Sequence, residues 1–293
     1  MQKHPERGRI AEVYHAITSL LSDRFDMLKP GDGKTALVTG ASGGIGYELA
    51  KCFARDGYNL VLVARSADEL KNIAAQLTSE HCISVKVIAK DLSASTSPQE
   101  IFDEVRTEGI AIDILVNNAG FGAHGPFYET SLKDDLEMMQ VNMVSPTHLT
   151  KLFLPGMISR GQGRILNVSS MGAFQPGPLI AVYCATKNYV LSISEALAEE
   201  LSGTGVTVTA LCPGPVRTGF ARRARTERTK AMMRGLFNRI WEPEDVAAVG
   251  YHGLMKGKTI VIPGKRYIVS AFIVRCLPRK MTRRAARIIM EEC

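Results

Sequence analysis

The stretch Thr-Ala-Leu-Val-Thr-Gly-Ala-Ser-Gly-Gly-Ile-Gly, residues 35–46, determines the predicted fold. Its first five residues form a short apolar run that is typical of a buried strand. The glycines that follow predict a tight turn, because glycine adopts backbone conformations that a Cβ forbids. A helix predicted over about 44–56 would direct free N–H groups and the positive end of its dipole at an anion. The pattern predicts a pyrophosphate site made by Gly40, Ser42, Gly44, Ile45 and Gly46, although such a turn alone is not specific.

Predicted strands and helices alternate along the rest of the chain. This alternation favours an α/β fold with a doubly wound parallel sheet and right-handed crossovers. Ligands bind at the carboxyl ends of the strands in such sheets, where the glycine turn, Ser170 and Pro213-Gly214 all fall. The predicted strands are 60–64, 84–89, 112–117, 164–168, 206–211 and 259–262, and the predicted helices are 67–79, 98–108, 132–160, 181–202 and 241–255.

Ser170, Tyr183 and Lys187 suit acid–base chemistry at a carbonyl oxygen. Tyr183 and Lys187 are four residues apart, so they share one face of a helix. A free tyrosine has a pKa of about 10, and a neighbouring ammonium lowers the pKa by favouring the phenolate. A serine hydroxyl can hydrogen-bond the same oxygen and stabilise developing charge. Tyrosine and lysine at this spacing alone would indicate a surface pair, but with Ser170 and the glycine turn they favour hydride transfer between a nicotinamide and a carbonyl or alcohol.

The end of the second predicted strand indicates which nicotinamide cofactor is preferred. Folds that prefer NAD usually place an acidic residue there, which binds the ribose 2′-hydroxyl. Here that position is Ala64, and Arg65 follows it. Alanine does not repel a 2′-phosphate, and a guanidinium can bind one through paired hydrogen bonds. The sequence therefore predicts NADP(H), and the alternative is that Arg65 only faces solvent.

Taken together, these motifs resemble those of the short-chain dehydrogenase/reductase family over about residues 34–263. The phosphate turn, the Asn-Asn-Ala-Gly stretch at 117–120 and the trio of Ser170, Tyr183 and Lys187 carry the resemblance. It implies a Rossmann-type catalytic domain in which Tyr183 is the acid–base group. It also implies that Lys187 holds the nicotinamide ribose.

The resemblance implies roles for further residues. Asn142 matches a helix asparagine of the family whose backbone kink holds a water for the proton relay. Asp91 and Leu92 match the position that caps the adenine. Within the family the chain is similar to the bacterial subgroup labelled DltE-type reductases, through stretches such as 154–157 and 174–178. The other cofactor-binding residues that the resemblance implies are Asn118, Ala119, Gly120, Pro213, Gly214 and Thr218.

The 293-residue chain is long enough for one large core with extensions at both ends. We predict an N-terminal helical extension at 1–33, which includes an amphipathic helix at 8–28. The catalytic domain is predicted at 34–263, with a substrate lid at 218–240. A basic helical extension is predicted at 264–293.

Positive charge is concentrated in the C-terminal quarter. Residues 221–293 hold 17 Lys and Arg against 6 Asp and Glu, whereas the whole chain has a net charge of only +7. Such a segment favours anionic phosphates, acyl carriers or peripheral contact with a membrane surface, and the alternative is a solvated basic face. Nucleic-acid binding is not predicted, because no aromatic platform accompanies the charge.

The remaining features favour a cytoplasmic protein. The six cysteines have no metal-type or C-x-x-C spacing, so reduced thiols and no metal site are predicted. The N-terminus lacks the apolar region of a signal peptide, and no apolar run approaches the ~20 residues of a membrane span.

The helices at 132–160 and 181–202 carry apolar residues over wide arcs, which predicts a homodimer or homotetramer.

Three functions are compatible with the sequence. The first is an NADPH-dependent carbonyl reductase or alcohol dehydrogenase for a small molecule such as a 3-oxoacyl thioester, a steroid or lipid ketone, or an aldehyde. The second is a non-catalytic dinucleotide sensor, which the presence of both Tyr183 and Lys187 disfavours. The third is a membrane-surface or scaffold protein.

His124 follows the 117–120 motif and is predicted to face solvent rather than substrate.

Overall fold

A computed structural model describes residues 29–229 and 240–291, and these residues form a single parallel sheet with helices on both faces. The predicted helix at 8–28 and the lid residues 230–239 lie outside the described residues. Across the sheet the strand order is 3-2-1-4-5-6-7, which confirms the doubly wound prediction. The strands are β1 (Thr35–Thr39), β2 (Asn59–Ala64), β3 (Val85–Ala89), β4 (Ile114–Asn117), β5 (Gly163–Val168), β6 (Val206–Leu211) and β7 (Ile260–Val261).

Helices cover both faces of the sheet. Because successive side chains of a strand point to opposite faces, each strand contributes residues to the core on both sides of the sheet. The helices are α1 (Gly44–Arg55), α2 (Ala67–His81), α3 (Ser97–Thr107), α4 (Leu132–Met139), α5 (Ser145–Ser159), α6 (Ala181–Glu200), α7 (Phe220–Ala224), α8 (Pro243–Met255), α9 (Lys265–Cys276) and α10 (Arg279–Met290). On β1, Ala36 and Val38 pack in the layer that contains α1 and α8. Leu37 packs on the other side, with α3 and α5. The core therefore lies in two layers, one on each face of the sheet.

The long helix predicted at 132–160 is interrupted. A π-helical turn, Gln140–Val144, separates α4 from α5. Asn142 lies in this turn, where its side chain accepts a hydrogen bond from the backbone N–H of Phe121 and donates one to the Phe121 carbonyl. A π-turn is typical of functional positions in helices. The side-chain bonds of Asn142 fix the turn against the loop that follows β4.

Buried amide groups connect the sheet to α6. Asn117 on β4 donates through Nδ2 to Asn167 Oδ1 on β5, at 2.8 Å. Asn167 in turn donates to the hydroxyl of Ser194 on α6, at 2.9 Å. Hydrogen bonds inside the core are costly to leave unmade. This network therefore fixes the position of α6, the helix that carries Tyr183 and Lys187.

The predicted C-terminal helical extension consists of two helices. Pro278 separates α9 from α10, because proline lacks the N–H needed to continue a helix. Both helices pack on the domain through their inward faces, which include the buried Tyr267 and Ala271 of α9 and the buried Ala286 of α10. Within residues 29–229 and 240–291, no helix has the length and apolar character needed to cross a membrane.

Candidate active site

A cavity of about 610 Å³ lies at the carboxyl ends of the strands. Its walls contain all of the predicted site residues except Gly46 and Asn142, which lie directly behind them. The structure therefore brings the predicted cofactor and catalytic residues to one place. The predicted residues that line the cavity are Gly40, Ser42, Gly44, Ile45, Arg65, Asp91, Leu92, Asn118, Ala119, Gly120, Ser170, Tyr183, Lys187, Pro213, Gly214 and Thr218.

The glycine turn is held closed by its neighbours. Gly40 has a φ of +65°, a conformation that favours glycine. A Cβ on Gly46 would lie 2.3 Å from the carbonyl oxygen of Gly40, so α1 starts in direct backbone contact with the turn. Asn118 donates through Nδ2 to the carbonyls of Thr39 and Gly40. These bonds set the shape of the turn at the start of α1.

The start of α1 suits a phosphate group. The residue before the helix is Gly43, which has no side chain to cap the first N–H groups. These N–H groups and the helix dipole favour an anion at this end. The small residues of the turn leave room for the anion to approach the backbone. The residues present therefore fit the pyrophosphate of a dinucleotide.

Tyr183 and Ser170 are brought together at the centre of the cavity. Ser170 follows β5, and Tyr183 lies in the first turn of α6. Both hydroxyl groups face the cavity, and Ser170 is close enough to Tyr183 to lower its pKa. The Ser170 hydroxyl also accepts a bond from the N–H of Gly172, at 3.1 Å. Ser170 is thus fixed at a position where both hydroxyls can contact one substrate oxygen.

Ser169 lies next to Ser170 but its side chain points elsewhere. Its hydroxyl is buried and donates to the backbone carbonyl of Lys187, at 2.7 Å. Successive side chains alternate across an extended backbone, so only one of the two serines can face Tyr183. The structure agrees with the choice of Ser170 over Ser169.

Lys187 is buried one helical turn after Tyr183. Its ammonium donates to the carbonyl oxygen of Val168 at 2.8 Å and lies 5.9 Å from the centroid of the Tyr183 ring. Burial lowers the pKa of Lys187 from an ordinary 10.5 to about 8. The amine is therefore close to its titration point near neutral pH.

The net change in the pKa of Tyr183 is opposite to the one that a neighbouring lysine alone predicts. Burial raises the pKa of Tyr183 above its ordinary value, and the nearby Ser170 offsets this only in part. The ammonium of Lys187, which donates to Val168 and lies 5.9 Å from the centroid of the Tyr183 ring, does not reverse the effect of burial. Tyr183 is accordingly a protonated phenol at neutral pH, and this form can donate a proton.

Asn142 lies beside Lys187 but outside the cavity wall. Besides Phe121, its Nδ2 donates to the hydroxyl of Thr186, at 3.0 Å. A Cβ on Gly120 would lie 3.0 Å from Asn142 Oδ1 and 3.2 Å from Lys187 Nζ. Both polar side chains thus border the space that the missing side chain of Gly120 leaves open.

The part of the cavity near Arg65 and Asp91 contains an arginine that the sequence did not predict. Arg223 of α7 lines the cavity together with Arg65 and Asp91. Its guanidinium carbon lies 4.0 Å from the centroid of the Phe121 ring. The pKa of Arg223 is lowered mainly by desolvation and next by the positive charge of Arg65. The two guanidinium groups are therefore close to one another. The only signal in the sequence is its position five residues after Thr218.

The same short helix also contacts Tyr183. The ring of Phe220 in α7 packs against that of Tyr183, with centroids 5.2 Å apart and planes at 52°. The Cζ atom of Phe220 also lies close to Gly122, where an added Cβ would be 3.0 Å away. Part of the predicted lid therefore contacts Tyr183 through Phe220 and lies near Arg65 and Asp91 through Arg223.

The far wall of the cavity comes from the C-terminal helices. Its residues are Ser270 and Val274 of α9 and Ala286, Ile289 and Met290 of α10.

The prediction that His124 faces solvent is wrong. Its Nε2 atom lies 2.8 Å from the carbonyl oxygen of Met290, because α10 covers the loop that carries it. His124 therefore joins the end of α10 to the loop after β4.

The sequence pattern that defines the short chain dehydrogenase family matches residues 34–229. The chain belongs to this family. The glycine turn and the trio of Ser170, Tyr183 and Lys187 lie within the matched part, whereas α8, α9 and α10 follow it.

Known proteins resemble the chain in sequence and in structure. A human very-long-chain 3-oxoacyl-CoA reductase is 36% identical over 199 residues, which are 66% of this chain and 62% of the human protein. The match thus spans less than two thirds of the human protein. A short-chain dehydrogenase from Sphingobium yanoikuyae in complex with NADPH has a TM-score of 0.73 at 30% identity, covering 83% of this chain and 94% of the other. One from Burkholderia phymatum in complex with NAD has a TM-score of 0.74 at 25% identity, covering 82% and 92%.

Proposed function

We propose that the protein is an NADPH-dependent reductase of ketones on long apolar chains. The observation that carries the proposal is the placement of Tyr183, Ser170 and Lys187 in the walls of one cavity that also contains the glycine turn. A non-catalytic sensor would not need a phenol, a hydroxyl and a buried ammonium in the wall of the same cavity. The test is oxidation of NADPH, followed by absorbance, in the presence of a panel of ketones and 3-oxoacyl thioesters.

The proposed reaction assigns a separate task to each side chain. When bound, the reduced nicotinamide supplies a hydride to the carbonyl carbon and is oxidised. The electron pair of the carbonyl double bond moves to the oxygen, which takes the proton of the Tyr183 hydroxyl. Ser170 donates a hydrogen bond to the same oxygen and stabilises its developing charge. Lys187 keeps a positive charge near the phenolate that Tyr183 becomes, and Asn142 holds the adjacent backbone in its π-turn.

We propose NADPH rather than NADH as the preferred cofactor. Arg65 and Arg223 converge at the end of the cavity where no acidic residue ends β2. Two guanidinium groups near one another repel, and a phosphate between them would relieve the repulsion. Asp91 also faces this end, and its carboxylate offsets part of the positive charge.

Arg65→Ala is expected to lower the preference for NADPH over NADH by about 10- to 150-fold, the range for one charge-assisted hydrogen bond. Arg223→Ala should act in the same direction. The control is Arg222→Ala, because Arg222 is an exposed neighbour that does not line the cavity. Kd values for both cofactors, measured by fluorescence titration, decide the matter. If Arg65→Ala leaves the ratio of the two Kd values unchanged, Arg65 does not select the cofactor.

The cavity wall supports a long apolar substrate. Val274, Ile289 and Met290 line part of the cavity with apolar side chains. Methionine adapts its shape easily to apolar ligands. The human relative is named for reducing 3-oxoacyl-CoA thioesters of very long chain. We therefore propose 3-oxoacyl thioesters as the first substrate class to test.

Val274→Trp is expected to reduce kcat/KM for long-chain ketones about 5- to 150-fold and to leave short-chain ketones nearly unaffected. The larger side chain would fill the far end of the cavity, and overpacking typically costs about 1–3 kcal/mol. Ile273→Trp is the matched control, because Ile273 is adjacent on α9 but exposed on its outer face. Equal losses for long and short substrates would show that α9 does not bind the chain.

We further propose that the protein is a homodimer or homotetramer. The face that runs from α4 into α5 exposes Leu132, Leu136, Met139 and Val144. On α6, by contrast, Leu191 is already buried within the subunit, so that helix offers less apolar surface than its sequence predicts. Exposed apolar patches of this kind mark association surfaces.

Leu136→Glu should convert the assembly to monomers, because a carboxylate at the centre of an apolar interface remains unpaired. Light scattering measures the mass. Val249→Glu introduces the same change at an exposed site on α8 and should not alter the mass. A wild-type protein that is monomeric at micromolar concentration would contradict the proposal.

Three sequence predictions remain predictions. They are the similarity to the DltE-type subgroup, the cytoplasmic location and the division of the chain into a core at 34–263 with extensions at each end.

A further inference from the structure

The outer faces of α9 and α10 present large apolar side chains to solvent. Each of them is between 38% and 69% exposed, and most lie along a single stripe on α9. Isolated exposed apolar residues are ordinary, whereas a group of this size indicates a binding surface. The side chains are Ile268, Val269, Phe272, Ile273, Leu277, Met281 and Ile288.

The same two helices are strongly basic. Residues 265–290 contain eight Lys and Arg and no Asp or Glu. Two of the cations have acidic partners at the margins: Arg275 lies 3.9 Å from Glu195 of α6, and Arg287 lies 3.5 Å from Glu291. The eight cations are Lys265, Arg266, Arg275, Arg279, Lys280, Arg283, Arg284 and Arg287. We call these cations and the apolar side chains together the C-terminal face.

The charge of the C-terminal face limits what can cover it. A second copy of the chain docked on the same face would bring two sets of cations together, and like charges at an interface cost several kcal/mol. The occupant must therefore be anionic, and it must also accept apolar side chains. An anionic lipid surface has both properties, because it combines negative headgroups with an apolar interior.

The arrangement of the side chains favours lipid over an acidic protein. On α9 the apolar stripe is central, and the cations Lys265, Arg266 and Arg275 lie towards the helix ends. Long basic side chains at such positions can reach headgroups while the apolar residues between them enter the acyl boundary. On α10 the cations surround Met281 and Ile288 in the same manner.

We propose that the C-terminal face docks the protein on an anionic lipid surface. The inner faces of α9 and α10 line the cavity through Ser270, Val274 and Met290. Docking would therefore place the far wall of the cavity next to the bilayer. A substrate dissolved in the membrane could then reach the cavity without crossing bulk water. The docking itself does not depend on the reaction that the enzyme catalyses.

The test is flotation of the full-length protein with vesicles of phosphatidylcholine, with and without phosphatidylserine. Wild-type protein should float with the mixed vesicles and not with phosphatidylcholine alone, and added salt should weaken the association. Reversing two charges with Arg283→Glu and Arg284→Glu should weaken it at least about 30-fold, since each basic side chain near an anionic surface contributes on the order of 1 kcal/mol. Phe272→Ser should weaken it through the apolar stripe instead.

The matched control reverses two charges elsewhere. Lys256→Glu and Lys258→Glu follow α8, are exposed and do not belong to the C-terminal face. This control should float like the wild type, and thermal melting establishes that every variant is folded. If the control and the Arg283/Arg284 variant lose vesicle binding equally, binding depends only on the net charge of the protein, and the proposal is overturned. Binding to poly-L-glutamate without flotation would assign the face to an acidic protein and would also overturn it. Turnover of a short, water-soluble ketone, measured in parallel, tests the proposed reaction separately.

Discussion

Tyr183→Phe is expected to lower kcat about 10²- to 10⁴-fold, the usual contribution of a general acid, while changing the Kd for NADPH by no more than about threefold. The substitution removes the proton donor and keeps the ring that packs against Phe220. The proton is needed only as charge develops on the substrate oxygen, so its loss affects the transition state and not cofactor binding. Ser170 would still donate a hydrogen bond, which accounts for the residual rate.

The chain provides a matched control for this variant. Tyr189 lies on the same helix, and its hydroxyl lies 2.9 Å from that of Thr147, away from the cavity. Tyr189→Phe should retain nearly full activity, which would separate the chemistry of Tyr183 from any general effect on α6. Steady-state rates and a fluorescence titration with NADPH supply the two quantities. If Tyr183→Phe keeps more than about a tenth of the wild-type kcat, Tyr183 is not the general acid.

The parts of the fold that depend on local patterns could be predicted from the sequence. Most strands are short and mainly apolar, and the parallel sheet follows from the alternation of strands with helices. The convergence of the glycine turn, Ser170 and Tyr183 also follows, because carboxyl ends of parallel strands meet at one edge. Boundaries shifted by only a few residues at most elements, as at α2, which ends at His81 rather than at 79.

The parts that depend on long-range contacts could not be predicted. Arg223 is one of several arginines in a basic segment, and only the position of α7 over Phe121 distinguishes it. His124 and Met290 are 166 residues apart, so no local pattern relates them. The family resemblance implies a backbone kink at Asn142, but no local pattern relates Asn142 to Phe121, which it hydrogen-bonds from a different segment. In each case the deciding interaction joins elements that are distant in sequence.

The direction of the pKa change at Tyr183 also could not be predicted from the sequence. A lysine four residues away predicts a lower pKa, but the spacing contains no information about burial. Desolvation is the larger effect here, and it acts on Tyr183 and Lys187 in opposite directions. Burial favours the neutral form of each group, so it keeps the proton on the phenol and favours loss of the proton from the amine.

Burial of Lys187 also carries a cost in stability. A change in pKa from 10.5 in the unfolded chain to about 8 in the folded protein corresponds to roughly 3 kcal/mol. Below pH 8 the amine is protonated in both states, and the folded protein bears the full cost of the buried ammonium. Between pH 8 and 10.5 only the folded protein loses the proton, so the cost disappears as the pH rises.

Lys187→Met is therefore expected to lower activity while changing how stability depends on pH. We expect kcat/KM to fall about 10- to 150-fold, because the variant removes a buried charge-assisted donor at the site. Methionine has a similar length without the charge, although it leaves the carbonyl of Val168 without its bond from Lys187. That lost bond shifts the stability of the variant by an amount that does not vary with pH. The pH-dependent part of the difference in stability between the variant and the wild type comes only from the ammonium of Lys187.

The measurement that isolates the ammonium is the difference in unfolding free energy between Lys187→Met and the wild type, at several pH values and without added cofactor. Relative to the wild type, the variant should lose about 2–3 kcal/mol of stability between about pH 7 and pH 10, because the cost of Lys187 falls away over that range. Other groups titrate in both proteins and cancel in the difference. A difference that stays constant with pH would mean that Lys187 keeps its proton in the fold. Its ammonium would then be stabilised at the site rather than penalised by burial.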